Sequence, residues 1–230
     1  MEINVNKLTK DYCNGEVRIR ALNEVSFDVK HGEILSIFGP SGCGKSTLLN
    51  CLSGIDTPNS GKVIIDGVDL HSLSDNDKTR FRAKNLGFIF QFYNLIPVLN
   101  AVENVELVLQ ILRVSEKEAR EKSIEILKIV GLGEKINSYP SQLSGGERQR
   151  VSIARALVHN PGIIFADEPT GALDTETSIE ILNLIKKLNS TYNQSFIIVT
   201  HDKKITGYSD RIIKMDSGKI VSFEENGEEK

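Results

Sequence analysis

The chain has 230 residues, of which 40% are hydrophobic and 26% charged, as in an ordinary globular protein with room for one compact domain and an inserted subdomain. Its formal net charge of −3 gives no overall positive field, so we expect no nucleic-acid partner. No apolar run approaches the roughly 18 residues that cross a bilayer, and the first ten residues lack the pattern of a secretory signal, so another chain would have to supply any membrane path.

Strand patterns dominate the first ninety residues. Ile3, Val5 and Leu8 predict a short edge strand, and alternation over 25–29 predicts a half-buried one. The near-continuous apolar run 34–38 predicts a strand buried on both faces of a parallel sheet. Further strands are predicted at 61–65 and 86–90, and helices at 45–52 and 74–82.

The middle of the chain changes character, since residues 100–157 carry little strand signal. Within it, an amphipathic helix with one largely apolar face is predicted, and Gly131 and Gly133 end this helix. The residues of that face are Ala119, Ser123, Ile126, Leu127 and Val130. We therefore predict a helical insertion over about 95–143.

Sheet patterns then return. Strands are predicted at 163–166 and 196–199, a hairpin at 212–215 and 220–223 around Ser217 and Gly218, and a frayed tail at 224–230. A helix starting near Asp174 has one apolar face, formed by Ile181, Leu182, Ile185 and Leu188.

The first glycine-rich segment fits a phosphate-binding loop at every fixed position. It consists of Gly39, Pro40, Ser41, Gly42, Cys43, Gly44, Lys45 and Ser46. It follows a predicted strand and opens a helix, where backbone amides and the helix N-terminus provide positive potential. Lys45 is expected to reach the β- and γ-phosphates and Ser46 to hold Mg²⁺.

Two acids follow the predicted strand at 163–166. Asp167 is placed to hold the Mg²⁺ shell, and Glu168 to polarise an attacking water. An acidic pair after a strand could by itself be a helix N-cap, but the phosphate loop favours the catalytic reading.

A second glycine-rich helix start reads Leu143, Ser144, Gly145, Gly146 and Glu147. Its amides and the Ser144 hydroxyl can bind an anion, although it has no lysine and no preceding strand. A chain with one nucleotide loop needs no second phosphate site, unless this loop covers the nucleotide held by another subunit.

Together these motifs resemble the nucleotide-binding domain of ABC (ATP-binding cassette) transporters over nearly the whole chain, with residues 143–147 as the family signature. The resemblance implies a Q-loop glutamine at Gln91, which contacts nucleotide and metal, a D-loop around Asp174, and a switch histidine at His201 that senses the γ-phosphate. Thr47 would join the phosphate loop, and Tyr12 would stack on adenine, although a tyrosine near a strand end often only packs.

The resemblance also implies a fold and a mechanism. The fold is the α/β P-loop ABC ATPase fold, with a mixed-sheet core and antiparallel β subdomain (1–94 and 144–230) and a helical subdomain (about 95–143). Two copies would bind ATP and Mg²⁺ head to tail, with Lys45, Glu168 and His201 as catalytic residues.

Softer motifs at 12–22, 86–97 and 170–177 resemble the lipoprotein-releasing, macrolide-exporting and antimicrobial-peptide-resistance group. That implies a membrane permease partner with a large extracytoplasmic domain, and a cytoplasmic chain held on the inner face of the membrane. An importer ATPase, a soluble ABC ATPase and a scaffold with an inactive ATP site are the alternatives. The residues Phe92, Tyr93, Leu95, Ile96, Pro97 and Val98 either line a groove on this chain for a cytoplasmic helix of the partner or belong to the core of the helical subdomain.

The three cysteines, Cys13, Cys43 and Cys51, are odd in number and lack metal-ligand spacing, which favours reduced thiols in a cytosol. Because Cys43 lies within the phosphate loop, we expect a thiol reagent to block nucleotide binding and ATP to protect.

Overall fold

The computed structural model describes residues 1–15 and 17–225. The strands are β1 Ile3–Asn14, β2 Val17–Val29, β3 Ile34–Phe38, β4 Ser60–Ile65, β5 Val68–Asp69, β6 Leu86–Phe90, β7 Ile163–Asp167, β8 Ser195–Thr200, β9 Arg211–Asp216 and β10 Lys219–Glu225. The helices are α1 Lys45–Leu52, α2 Asp75–Asn85, α3 Ala101–Ile111, α4 Glu116–Ile129, α5 Gly145–Leu157, α6 Thr175–Tyr192 and α7 Lys203–Thr206.

A six-stranded sheet in the order β10-β9-β3-β8-β7-β6 forms the centre of the molecule. Five of its strands run parallel to one another, namely β3, β6, β7, β8 and β9, and the edge strand β10 pairs antiparallel with β9. Because parallel strands end at the same edge of a sheet, the segments after β3, β7 and β8 come together there, where α/β proteins bind ligands.

A second sheet, antiparallel and four-stranded, has the order β2-β1-β4-β5. The prediction of a short edge strand at the start of the chain was wrong, since β1 has 12 residues and lies between β2 and β4. Its register shifts between Val5 and Leu8 and twice more before Asp11, and Lys7 has a φ of +45°. These bulges interrupt the period of two, so alternation alone could not reveal the full strand.

Alternate residues of the central strands face two different hydrophobic cores. Ile34, Ile164, Ala166, Phe196 and Ile198 pack on one side, with residues of α3, α4, α5 and α6. Leu35, Ile37, Phe165, Ile197 and Val199 pack on the other side, with α1 and the antiparallel sheet. This two-sided burial explains the unbroken apolar runs.

The predicted insertion contains α3 and α4, which pack on each other and on α5. The predicted apolar face of α4 is buried, and the chain leaves the helix through Gly131 at a φ of +83°. Glu106 interrupts the apolar sequence of α3, and its buried carboxylate is paired with Arg120 of α4 at 3.1 Å. Within the described residues, none of the helices combines the length and hydrophobicity needed to span a bilayer.

Most other predicted elements are confirmed with small changes of boundary, but the strand predicted at 25–29 is the end of β2, which has 13 residues and begins at Val17. Helix α2 continues to Asn85, and Ser74 is its N-cap, accepting from the Asp77 amide at 3.2 Å. Glu224 and Glu225, predicted as tail, belong to β10, where they pair with Ile212 and Arg211. The remaining predicted tail, 226–230, lies outside the described residues.

Candidate active site at the ends of the parallel strands

The phosphate loop connects β3 to α1 and folds around its own lysine. The Lys45 side chain is buried, and its Nζ donates to the carbonyl oxygens of Gly39 at 2.8 Å and Pro40 at 2.9 Å. Gly44 has a φ of +104°, and a Cβ built there would lie 2.3 Å from the Ala21 carbonyl oxygen. Only glycine fits at this position, and the loop is therefore a narrow cradle with one buried cation.

Ser46 and Asp167 meet beside this cradle. The Ser46 hydroxyl donates to Asp167 Oδ1 at 3.4 Å. Burial raises the pKa of the Asp167 carboxyl, as does the neighbouring charge of Glu168, while Ser46 and Lys45 act in the opposite direction. A hydroxyl and a carboxylate are hard oxygen donors of the kind that Mg²⁺ prefers, so the pair fits the predicted metal site.

Glu168, directly after β7, is held by two side chains from the end of β8. His201 Nδ1 lies 2.7 Å from its Oε1, and the Thr200 hydroxyl donates to its Oε2 at 3.2 Å. Its backbone has a φ of +47°, a conformation that costs a non-glycine residue free energy and is common at functional sites. The carboxylate is thereby fixed one residue beyond the predicted metal ligand.

Tyr12 lies on β1 with 42% of its surface exposed. Its hydroxyl donates to Asp56 Oδ2 at 2.7 Å, and Lys10 Nζ lies 5.0 Å from the ring centroid. Much of the ring thus remains available for stacking at the side of α1.

Gln91 follows β6, and its amide nitrogen would lie 2.8 Å from a Cβ built on Gly171, so it touches the segment that leads to Asp174. The next turn is unusual, since Tyr93 and Asn94 both have positive φ, of +63° and +48°. Arg155 of α5 donates to the carbonyl oxygens of Asn94 at 2.6 Å and Tyr93 at 2.7 Å. The turn after Gln91 is therefore fastened to the helix that begins at the second glycine loop.

The second glycine loop begins α5 with a capping box. The Glu147 amide donates to the Ser144 hydroxyl at 3.2 Å, and the Ser144 amide donates to Glu147 Oε2 at 2.8 Å. A Cβ on Gly146 would lie 2.5 Å from Thr177 Cγ2. Hydrogen bonding from the Ser144 backbone lowers the pKa of Glu147, so this carboxylate neutralises the helix end from within the chain.

Asp174 also acts as a helix cap. Its carboxylate accepts from the Thr177 amide at 3.0 Å and the Thr177 hydroxyl at 2.7 Å at the start of α6. These bonds, the backbone one first, lower its pKa. In the part of the chain that the structure describes, no hydrogen bond or ion pair joins 144–147 to 39–47. One copy therefore brings the phosphate loop and the two acids together, but not the second glycine loop.

The structure contradicts the expectation that the Cys43 thiol is open to reagents at the nucleotide site. The side chain is 4% exposed and packs in the core with α1, and burial raises its pKa. The Cys43 backbone helps to hold the loop in place, because its carbonyl oxygen accepts a hydrogen bond from the Gly218 amide at 2.9 Å. Cys13 is the exposed thiol.

An apolar groove of about 400 Å³ lies between α2, β6, α3 and α5. Its lining includes Arg82, Phe88, Phe90, Val108, Ile111 and Arg155. None of the six residues predicted from 92–98 is among its lining residues. Phe92 and Val98 are 72% and 77% exposed, whereas Leu95 packs against the core, so the predicted segment divides between surface and core.

Sequence reasoning missed Arg155, Asp56 and Lys10 as residues of the site. Each is a charged residue with no motif around it, and only the folded chain shows that these residues hold backbone or side chains of the site. The groove was also missed, because its lining comes mainly from four separate elements, running from Thr79 on α2 to Arg155 and Ala156 on α5.

Comparison with known proteins agrees with this arrangement. The family model for ABC transporters matches residues 22–171. The lipoprotein-releasing system ATP-binding protein LolD of Colwellia psychrerythraea is 45% identical over 223 residues, 97% of this chain and 86% of that protein. The LolD of Buchnera aphidicola is 48% identical over 215 residues, 94% of each chain.

A solved structure extends the likeness to three dimensions. The ATP-binding cassette MJ0796, a protein of Methanocaldococcus jannaschii solved as a dimer in a post-hydrolysis state with ADP and Pi, is 43% identical with a TM-score of 0.90. The match covers 98% of this chain and 99% of that one. With a family model over more than half its length and close relatives over nearly all of it, the chain belongs to the ABC transporter family, as an ATP-binding and ATP-hydrolysing subunit that uses Mg²⁺.

Proposed function

We propose that two copies of this chain bind ATP between them head to tail, hydrolyse it with Glu168 as general base, and thereby drive a separate membrane protein of the lipoprotein-releasing or exporter kind. The observation that carries the proposal is the fixed carboxylate of Glu168, held by His201 at 2.7 Å beside Ser46 and Asp167.

Each residue of the site has a role in this proposal. When ATP binds, Lys45 gives up its hydrogen bonds to the Gly39 and Pro40 carbonyls and donates to phosphate oxygens instead. The backbone amides of the cradle, which extends to Thr47, also donate to the phosphates. Ser46, Asp167 and Gln91 would hold Mg²⁺, which when bound would supply positive charge to the phosphate oxygens. Glu168 takes the proton of the attacking water, and His201 orients that carboxylate and the transferred group.

The head-to-tail arrangement accounts for the second glycine loop. Among the described residues, 144–147 form a helix N-terminus with no hydrogen bond or ion pair to the phosphate loop of the same copy, and Ser144 and Asp174 are the N-caps of α5 and α6. These two helix starts lie side by side, since Gly146 faces Thr177. In the dimer these residues would contact the ATP held by the other copy. The solved relative is dimeric with ADP and Pi, which supports this reading.

The membrane partner follows from the relatives, two of which are named as lipoprotein-releasing system ATP-binding proteins. We infer a permease with a large extracytoplasmic domain, and a chain that works on the cytoplasmic face of the membrane. The groove beside Phe88 and Ile111 is an apolar site of suitable size for a cytoplasmic helix of that partner. In this scheme 1–94 and 144–230 form the ATPase core, and about 95–143 the helical subdomain that moves on closure.

Glu168→Gln tests the proposal. Removing a general base lowers the rate by roughly 10²–10⁴-fold, whereas the amide keeps the shape needed for ATP binding. We expect ATP binding, a dimer on size-exclusion chromatography with ATP, and turnover reduced at least a hundredfold. Glu224→Gln, an acid paired only with Lys214 among the described residues, is the control and should hydrolyse normally. Normal turnover of Glu168→Gln would contradict the base assignment.

The trapped dimer then identifies the partner. Added with ATP to solubilised membranes of the source cell, it should capture a membrane protein of few helices with a large extracytoplasmic domain. Capture of a many-helix permease with a binding protein would show an importer. Capture of ribosomes or DNA-repair factors without any membrane protein would show a soluble ABC ATPase.

A further inference from the structure

Behind the Tyr12 ring lies a small polar network that the catalytic scheme does not use. The Tyr12 hydroxyl donates to Asp56 Oδ2 at 2.7 Å, and Lys10 Nζ donates to Asp56 Oδ1 at 2.6 Å and to the Thr57 carbonyl oxygen at 2.7 Å. The Thr47 side chain lies beside the phenol oxygen, where it acts to lower the pKa of Tyr12 against the larger effect of burial. These residues come from β1, α1 and the loop after α1, so the network joins three segments at one ring.

The network fixes the ring from two sides. The hydroxyl is held by the Asp56 carboxylate, and the Lys10 ammonium lies 5.0 Å from the ring centroid, within range of a cation–π contact. Since Lys10 approaches one face, a flat ligand can stack only on the other. Burial opposes ionisation of Asp56, but hydrogen bonds from Lys10 and Tyr12 outweigh it and lower the pKa of the carboxyl. Asp56 is therefore a charged acceptor at neutral pH.

The same network sets the ring relative to the phosphate loop. Thr47 directly follows Ser46 on α1, and Asp56 follows the end of that helix, where its amide donates to the Asn50 carbonyl oxygen at 3.1 Å. The acceptor of the phenol, Asp56, and the neighbouring Thr47 side chain are thus both attached to the helix that begins at the phosphate loop. A base stacked on Tyr12 would lie at a fixed distance and angle from phosphates bound in the cradle.

From this geometry we infer that Asp56, braced by Lys10, is a positioning residue for the purine base: it orders the Tyr12 ring before ATP arrives and so improves nucleotide affinity without acting in hydrolysis. The inference rests on the proposed stacking role of Tyr12. If the side chain is already ordered, ATP binding no longer has to restrict its rotamers. The conformational entropy saved in this way commonly corresponds to roughly a 2- to 10-fold change in affinity.

The test is a double-mutant cycle on MgATP binding by the full chain, measured by calorimetry in the Glu168→Gln background, with KM and kcat measured separately in the otherwise unchanged chain. Tyr12→Phe keeps the ring but removes its hydroxyl, and Asp56→Asn removes the charge that holds both Lys10 and the hydroxyl. We expect each to weaken ATP binding roughly 3- to 10-fold, with KM raised and kcat unchanged. The ATP affinity of the double variant should be no lower than that of the more impaired single variant, because both substitutions break the same Tyr12–Asp56 hydrogen bond.

Two further variants separate possible failures. Tyr12→Leu removes the stacking surface itself and should weaken binding more than Tyr12→Phe. If Tyr12→Leu binds ATP normally, the base does not stack there, and both the proposed role of Tyr12 and this inference are wrong. If Tyr12→Leu weakens binding but Asp56→Asn does not, or if the two single effects add, only the inference is wrong. Glu118→Gln, which breaks an ion pair with Lys122 on α4, controls for loss of a carboxylate and should leave affinity unchanged.

Discussion

Arg155→Met should release the turn that follows Gln91 while leaving the rest of the fold nearly intact. The guanidinium donates to the carbonyl oxygens of Asn94 and Tyr93, and methionine keeps much of the aliphatic stem but none of these donors. Both carbonyl residues have a positive φ, so the turn has a strained backbone, and Arg155 donates hydrogen bonds to both of its carbonyls.

The expected magnitude follows from two opposing terms. Hydrogen bonds from a charged donor contribute about 1.5–3 kcal/mol each, so two partly solvated bonds at the lower end contribute about 3 kcal/mol. Relaxation of two residues from the left-handed region returns about 1 kcal/mol each. The free energy of unfolding should therefore fall by only about 1 kcal/mol. The turn, however, should lose nearly all of its preference for the left-handed backbone conformation at Tyr93 and Asn94.

Two measurements separate these effects. Urea unfolding followed by circular dichroism gives the global change, and hydrogen exchange of peptides covering 91–96 gives the local one. Arg150→Met is the matched control, since Arg150 lies on the same helix and bonds the Val130 carbonyl and Glu180 instead; it should not speed exchange at 91–96. If exchange there is unchanged in Arg155→Met, another contact holds the turn, and Arg148, 5.2 Å from the Tyr93 ring centroid, is the next to remove.

Three other predictions need only single variants or reagents. Iodoacetamide should label the exposed Cys13 within minutes and leave the buried Cys43 unmodified in the folded chain, as mass spectrometry would show; prompt Cys43 labelling would contradict the packing. Gly44→Ala should abolish ATP binding in a fold of near-normal circular dichroism, because its Cβ would collide with the Ala21 carbonyl; retained affinity would show that the loop can relax. Hydrogen bonds from two arginines lower the pKa of Asp11 below 3.8. Because the carboxyl loses its proton more readily when folded, its contribution is present above pH 3.8 and lost as pH falls through the folded pKa. Asp11→Asn should therefore destabilise the chain at pH 7, with a difference from wild type that shrinks below pH 3.8 in urea unfolding.

The sequence predicted the elements best where one physical rule governed them. The parallel strands were visible because both faces are apolar, and α1 and α6 because a cap or glycine loop precedes a periodic apolar face. It failed at β1, where three register shifts conceal the alternation, and at the groove, whose apolar wall is assembled from distant segments. Periodicity reports local burial, but bulges and tertiary assembly lie beyond it.

The candidate site followed a similar division. The sequence indicated the loop residues and the acids at strand ends, because the carboxyl ends of parallel strands lie at the same edge of a sheet, even though β8 separates β3 from β7. The residues that hold them in place, such as Arg155 and Asp56, are ordinary charged residues in the sequence. Their partners are backbone carbonyls and a phenol some 44 to 62 positions away, and no local pattern encodes such pairings.

The two-faced central sheet also has a consequence for how this chain can change over evolutionary time. Ile164 and Phe165 are neighbours in the sequence, yet they contact separate cores. A larger or smaller residue at position 164 must be compensated from the helical layer, and one at position 165 from the antiparallel sheet and α1. Adjacent positions of the same strand should therefore accept substitutions independently, each in step with its own distant layer, and libraries that randomise whole strands should separate into two uncorrelated sets.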